Sequence, residues 1–137
     1  MISTESAFNE LGIDAITGVE IMDWLGISAI DLGDPARFGR FHDIIDYFKQ
    51  FPVDTQRYII RKVTNGKNVD KLNHVWEYSE LLKNKRAAEE AIEKVKTELS
   101  ALGTNPDPVL VQNYALREAE ARQALNAVVA EAAIYAQ

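Results

Sequence analysis

Apolar positions follow two regimes along this chain. Through residue 64 they come in short bursts cut by glycine, proline and capping residues. Beyond residue 69 they settle into one long repeat of three and four residues. The bursts read as helices. Ser3 caps a short helix through about Leu11, and Gly12 follows it as a C′ residue. Thr17, with Glu20 three residues on, is a capping-box pattern that opens a helix through Leu25, closed by Gly26. Asp34 sets a capping acid before Pro35, where a missing N–H costs nothing. The helix after it carries Phe38, Phe41, Ile45 and Phe48 on one face and stops by Pro52. Asp54 caps another, with Tyr58, Ile59 and Val63, ended by Asn65 and Gly66. Residues 27–32 (ISAIDL) stay ambiguous between a short strand and an extended connector. No sustained period-2 alternation and no hairpin turn occurs, so strands have no other candidate.

The long repeat has two halves. Asn68 caps a helix over about 69–102 whose apolar positions are Leu81, Ala88, Ile92, Val95, Leu99 and Leu102, with Lys85 in the one remaining place. The second half starts at Pro108 behind Asp107 and carries Val111, Tyr114, Glu118, Ala121, Leu125, Val128, Ala132 and Tyr135. A 3.5-residue spacing is that of a coiled coil. Between the halves, Gly103, Pro106 and Pro108 reverse the chain, so the two seams face each other. Residues 124–136 are apolar nearly all round, which predicts cover on several sides from residues 75–82 and the helices before them.

The fold class expected is therefore all-α: a small N-terminal helical body of about four short helices (residues 1–68), then a long antiparallel two-helix coiled-coil hairpin (residues 69–137) with its turn at 103–108. Length supports the division. A helix of roughly 34 residues is about 50 Å long, whereas a compact chain of this size has a diameter of about 37 Å. The hairpin is expected to project. A body of about 68 residues is marginal alone, so the base of the hairpin is expected to complete its core.

Composition narrows the classes. An apolar fraction of 47% belongs to a folded chain. There is no apolar run long enough to span a membrane, and MISTESAFNE lacks the basic and apolar regions of a secretory signal. The absence of cysteine removes disulfides and thiolate chemistry. The expected location is the cytoplasm or a multi-subunit particle, a virion included, and not the secreted space. The net charge of −6 hides a segregation. Residues 1–36 hold seven acids and no base, residues 37–71 eight bases and four acids, and residues 72–137 seven bases and ten acids. Such polarity serves internal pairing or a partner; internal pairing with ordinary solvation is the expectation.

Candidate chemistry is sparse. His42 and Asp46 are an i, i+4 pair, too few for a metal site, and read as a helix-surface contact. His74 lies between Asp70 and Glu77 and reads as a helix-face ion pair. No P-loop, dinucleotide, nucleophile-elbow or zinc-protease motif occurs, and residues 31–34 (DLGD) lack the oxygen series of a calcium loop. Neither enzyme activity nor a cofactor, metal or small-molecule substrate is expected. Two features remain. Lys49, Arg57, Arg61, Lys62, Lys67 and Lys71 form a basic run, and Arg57, Arg61 and Lys62 could grip phosphate in a helix-turn-helix. Val109, Leu110 and Val111 cannot all face one seam, so at least one turns outward as a contact. The leading expectation is a non-enzymatic assembly protein that packs helices against protein subunits, its own copies or others, in a larger complex. A small nucleic-acid-binding regulator using the basic 49–71 segment is the alternative.

Overall fold

The computed structural model describes residues 4–135. Among them it is all-helical, with no strand. Ser3, expected to cap the first helix, lies outside the described residues. Five short helices come first: α1 (Thr4–Leu11), α2 (Ala15–Leu25), α3 (Ala29–Leu32), α4 (Pro35–Phe48) and α5 (Val53–Thr64). Two long ones follow, α6 (Lys71–Ser100) and α7 (Pro108–Tyr135). The chain divides into two compact units: residues 4–79 with Tyr135, and Glu80–Ile134. The division falls inside α6.

Several helix starts differ from the sequence reading, and each difference has a local cause. α2 begins three residues before its expected capping box. Asp14 outcompetes Thr17 because its carboxylate accepts both the Thr17 N–H at 2.8 Å and the Thr17 hydroxyl at 2.9 Å. Those same hydrogen bonds hold the Asp14 carboxyl below its ordinary pKa. Residues 27–32 are neither strand nor connector. Ser28 and Asp31 form a capping box there, with the Ser28 N–H donating to Asp31 at 2.8 Å, and α3 makes one turn. α5 begins at Val53, so Asp54 is a first-turn acid and not the cap. α6 begins at Lys71, where the Asp70 side chain accepts from the Asn73 N–H, replacing the expected Asn68. Asp34 and Pro35 act as expected, the carboxylate accepting from Ala36 N–H at 3.0 Å.

The first unit holds a continuous core. Phe8 and Leu11 of α1, Ile21 and Leu25 of α2, and Phe41, Ile44, Ile45 and Phe48 of α4 are all buried. Leu72 and Val75, in the opening turns of α6, complete it and are fully buried. Trp76 packs against the same core while its indole N–H donates to Asp43 at 3.0 Å. On α5 the buried edge is Gln56, Ile60, Val63 and Thr64; of the expected Tyr58, Ile59 and Val63, Val63 is buried, Ile59 is partly buried against the core and Tyr58 is exposed. The spacing 56, 60, 63, 64 is one face of a helix. Its two polar members stay satisfied: Gln56 donates to the Phe51 carbonyl and Thr64 to the Ile60 carbonyl. Tyr135 also belongs to this unit. Its ring stacks on His74 at 4.8 Å, its hydroxyl donates to Glu77 at 2.8 Å, and its carbonyl accepts from Lys67 at 2.6 Å. His74 is thus a ring-stacking partner, not half of the expected helix-face ion pair.

In the second unit, burial follows the seam residue by residue. From residue 84 to 100 only Lys85, Ala88, Ile92, Val95, Glu98 and Leu99 are not exposed. Along α7 the positions not exposed are Val111, Tyr114, Glu118, Ala121, Leu125, Val128, Ala132 and Tyr135, and every other described position is exposed. Glu118, the polar member, accepts from Arg122 at 3.0 Å. Arg117 reaches Glu98 of α6 at 3.4 Å. Gly103 takes φ 84°, a left-handed turn that suits glycine. Asp107 then caps α7 by accepting the Val109 N–H at 2.8 Å. The all-round cover expected for residues 124–135 does not appear. Ala132 is the one buried residue of α7, whereas Val129 and Ile134 are exposed.

Candidate functional site

α5 exposes what its buried edge does not use. With Ile60 and Val63 turned inward, Arg57, Tyr58, Arg61 and Lys62 turn outward. Beyond α5, Gly66 takes φ 69°, which reverses the chain and carries Lys67 and Lys71 back alongside. Asp23 and Trp24, in the last turn of α2, form the facing wall. Together these residues frame a groove of about 950 Å³ within the first unit. Five bases and two acids line it.

The electrostatics of this groove depart from the sequence expectation. The acidic residues 1–36 were expected to neutralise the basic run. Among the described residues only Asp31 of these acids makes an ion pair, and its partner is Arg37, at 2.8 Å from the Arg37 Nε. Arg37 also reaches Asp70 at 2.8 Å. That hydrogen bond, before any longer-range attraction, holds the Asp70 carboxyl below its ordinary value and raises the Arg37 guanidinium. Lys49 pairs with its helix neighbour Asp46 at 3.1 Å and does not line the groove. Among the described residues Arg57, Arg61, Lys62 and Lys71 have no carboxylate within 4 Å. Two of them lie on aromatic faces instead: Arg57 over Trp24 at 5.4 Å and Lys62 over Tyr58 at 5.9 Å. A guanidinium on an indole gains attraction without giving up its outward N–H donors.

The structure thus brings Arg57, Arg61 and Lys62 into one groove and adds Trp24, Tyr58, Lys67 and Lys71. Trp24 gives no local signal in the sequence, because it lies 33 residues before Arg57 on an unremarkable apolar helix. Tyr58, grouped by its sequence with Ile59 and Val63, turns outward because Ile60 is the residue that α5 buries.

Val109, Leu110 and Val111 lie in the second unit, apart from the groove in sequence. Val109 and Leu110 are exposed, and Val111 is partly covered as part of the seam. His42 meets Asp46 at 3.4 Å, a helix-surface contact. Among the described residues no group of three or more His, Asp or Glu is placed to hold a metal ion, and no helix is long and apolar enough to cross a membrane. Comparison with protein-family models, with curated proteins and with solved structures gives no match.

Proposed function

We propose that the protein is a non-enzymatic assembly subunit that works through helix-to-helix contacts, and that its partner is a second copy of itself. In this reading α6 and α7 pair as an antiparallel coiled-coil hairpin turning at residues 103–108. The alternation of covered and exposed positions along both helices supports that pairing, as does the Glu98–Arg117 contact.

One observation carries the assembly reading. Opposite its seam, α7 has a second stripe: Val109, Gln112, Leu116, Ala119, Gln123, Ala127, Ala130 and Ile134. Every member is exposed and none is charged. Val109 is 63% exposed, Leu116 58% and Ile134 63%. The exposed positions of α6 over residues 84–100 instead include six charged residues, Arg86, Glu89, Glu90, Glu93, Lys94 and Lys96. A solvated helix face has no reason to avoid charge over this length, whereas a packing face does. The stripe also fits itself. Run antiparallel against a copy, it sets Val109 opposite Ile134 and Leu116 opposite Ala127. The pairing is the same read from either copy, as a two-fold interface requires.

Magnitude sets the expected strength. Fully burying a Leu, Ile or Val is worth about 1.5–3 kcal/mol. Discounted because each is already partly covered, the six large side chains of a pair give roughly 5–10 kcal/mol. Association costs about 4–15 kcal/mol, so the pairing is concentration-dependent and not obligate. Sedimentation velocity across a concentration series tests it. The wild type should move from monomer to dimer, and Leu116→Glu with Ile134→Glu should hold it as a monomer of unchanged helicity. A wild type that stays monomeric up to about 1 mM, where pairing is worth no more than ~4 kcal/mol, would sink the reading. If the glutamates unfold the chain, the stripe is internal packing and not an interface.

A further inference from the structure

The groove on the first unit serves no part of that assembly. We propose that it binds single-stranded nucleic acid, with Arg57, Arg61, Lys62 and Lys71 holding phosphates and Tyr58 offering a face to a base. The inference stands on α2, α5 and the start of α6, and is independent of the stripe on α7.

Arg61 and Lys62 lie in the last turn of α5, where a positive side chain complements the helix dipole. That accounts for two residues only. Arg57 lies a full turn earlier, and Lys71 sits on a different helix. Surface cations far outnumber their needs when four converge on one groove with no carboxylate within 4 Å of any of them. Asp23 and Asp54 line the groove, yet neither pairs with them. Mutual repulsion among these bases is left standing in the free protein, and a polyanion removes it.

The aromatic residues select the kind of polyanion. Tyr58 is 63% exposed beside Lys62, and Trp24 already holds Arg57 on its ring. Interleaved cations and aromatic faces are the means by which proteins hold single strands without reading sequence: phosphates meet the bases, and nucleobases stack on rings. An acidic peptide would use the cations and leave Tyr58 idle. The concave form argues against a duplex, whose major groove receives a protruding helix. A recessed, cation-lined groove receives a protruding ligand instead, and a single strand is one. Arg57 and Arg61, one turn apart, lie about 6 Å from each other along the helix axis, so they form a rail and not a point site.

The acidic net charge of −6 is no obstacle. At physiological salt the screening length is about 8 Å, so a phosphate in the groove responds to the local bases and little to distant acids. Four phosphate contacts predict that log K falls with log salt with a slope of about −3 for a single strand.

The test uses the full chain and a fluorescein-labelled oligo(dT) of about 12 nucleotides, inside the ~4–16 nucleotide range of known single-strand sites. Anisotropy should rise with protein, and the salt slope should be about −3. Arg61→Gln and Lys62→Gln should each weaken binding several-fold at moderate salt and reduce the slope by about 0.7. Tyr58→Ala should weaken binding and leave the slope unchanged, since it removes stacking and no charge. Lys94→Gln, on the outer face of α6, should change nothing. Circular dichroism checks folding, and Lys71→Gln gives a second charge variant if Arg61→Gln unfolds. Absence of binding overturns the proposal. So does unchanged affinity in the Arg61, Lys62 and Lys71 variants. Equal competition by poly-glutamate would make the groove a peptide site, preference for duplex over strand would exclude the single-strand assignment, and thymidine monophosphate matching the oligonucleotide would reduce it to a mononucleotide pocket; each of these results overturns it too.

Discussion

A methyl group added at Gly18 would lie 2.4 Å from the Phe8 ring, which is itself held in the core. Alanine favours helix over glycine by about 1 kcal/mol, yet here the ring cannot step aside without moving its neighbours. Gly18→Ala should therefore destabilise the chain by about 1–3 kcal/mol, the usual cost of overpacking. Gly39 is the opposite case. It sits inside α4 with nothing within 4 Å of an added methyl, so Gly39→Ala should stabilise by about 0.5–1 kcal/mol. Urea midpoints at constant m-value measure both, and the two substitutions should have opposite signs. In the sequence these glycines look alike, each interrupting a helical pattern. What separates them is Phe8, a residue on another helix, and no local pattern contains it. Tyr58 and Ile60 teach the same lesson: three adjacent apolar side chains, Tyr58 to Ile60, leave the inward one undecided until the helix meets its neighbours.

At the scale of elements the long helices were the most legible part. Each apolar seam position named from spacing is at least partly covered, and most residues between them are exposed. Periodicity over four heptads averages out local ambiguity, so the phase of a long helix is fixed by its own sequence. Short helices lack that averaging, and their starts were decided by competition between acids and hydroxyls a few residues apart, as at Asp14 and Thr17. α3 has a single turn, too short for any period to show. The seam also yields a prediction. Ile92 is 6% exposed, and Ile92→Ala should cost about 2–5 kcal/mol. Ala91, next to it and exposed, should tolerate Gln within about 0.5 kcal/mol. A thermal melt distinguishes them, and equal losses would mean that the seam carries no packing energy.

For the molecule as a whole, one ion cluster ties distant parts of the first unit together. Arg37 of α4 holds Asp31 of α3 and Asp70 at the start of α6, each at 2.8 Å. The Asp70 carboxyl lies below its ordinary value of 3.8. A lowered carboxylate contributes stability that is fully present above the unfolded value and is lost as pH falls through the folded one. Because the Asp70 side chain is 42% exposed, solvent screening keeps that contribution at or below about 1 kcal/mol. Asp70→Asn should thus lower stability modestly at neutral pH, and the difference should shrink as falling pH protonates the wild-type carboxylate. A constant loss across pH would assign the effect to the capping of α6. Charge segregation was visible in the sequence, but its use was not. Asp31 spends its charge on Arg37, and the bases of residues 57–71 are left to the groove. That groove draws on residues 23 to 71 from three helices and the link between two of them, so no contiguous motif could have announced it.

The place of Tyr135 has a consequence for synthesis. The residues that build the first core have all been translated by position 79, but the ring that stacks on His74 is added 56 residues later. At roughly 5–20 residues per second that delay is about 3–11 s, far longer than helix formation takes. During each round of translation the nascent first unit passes through a state in which His74, Lys67 and Glu77 wait for a partner on a segment the ribosome has yet to make.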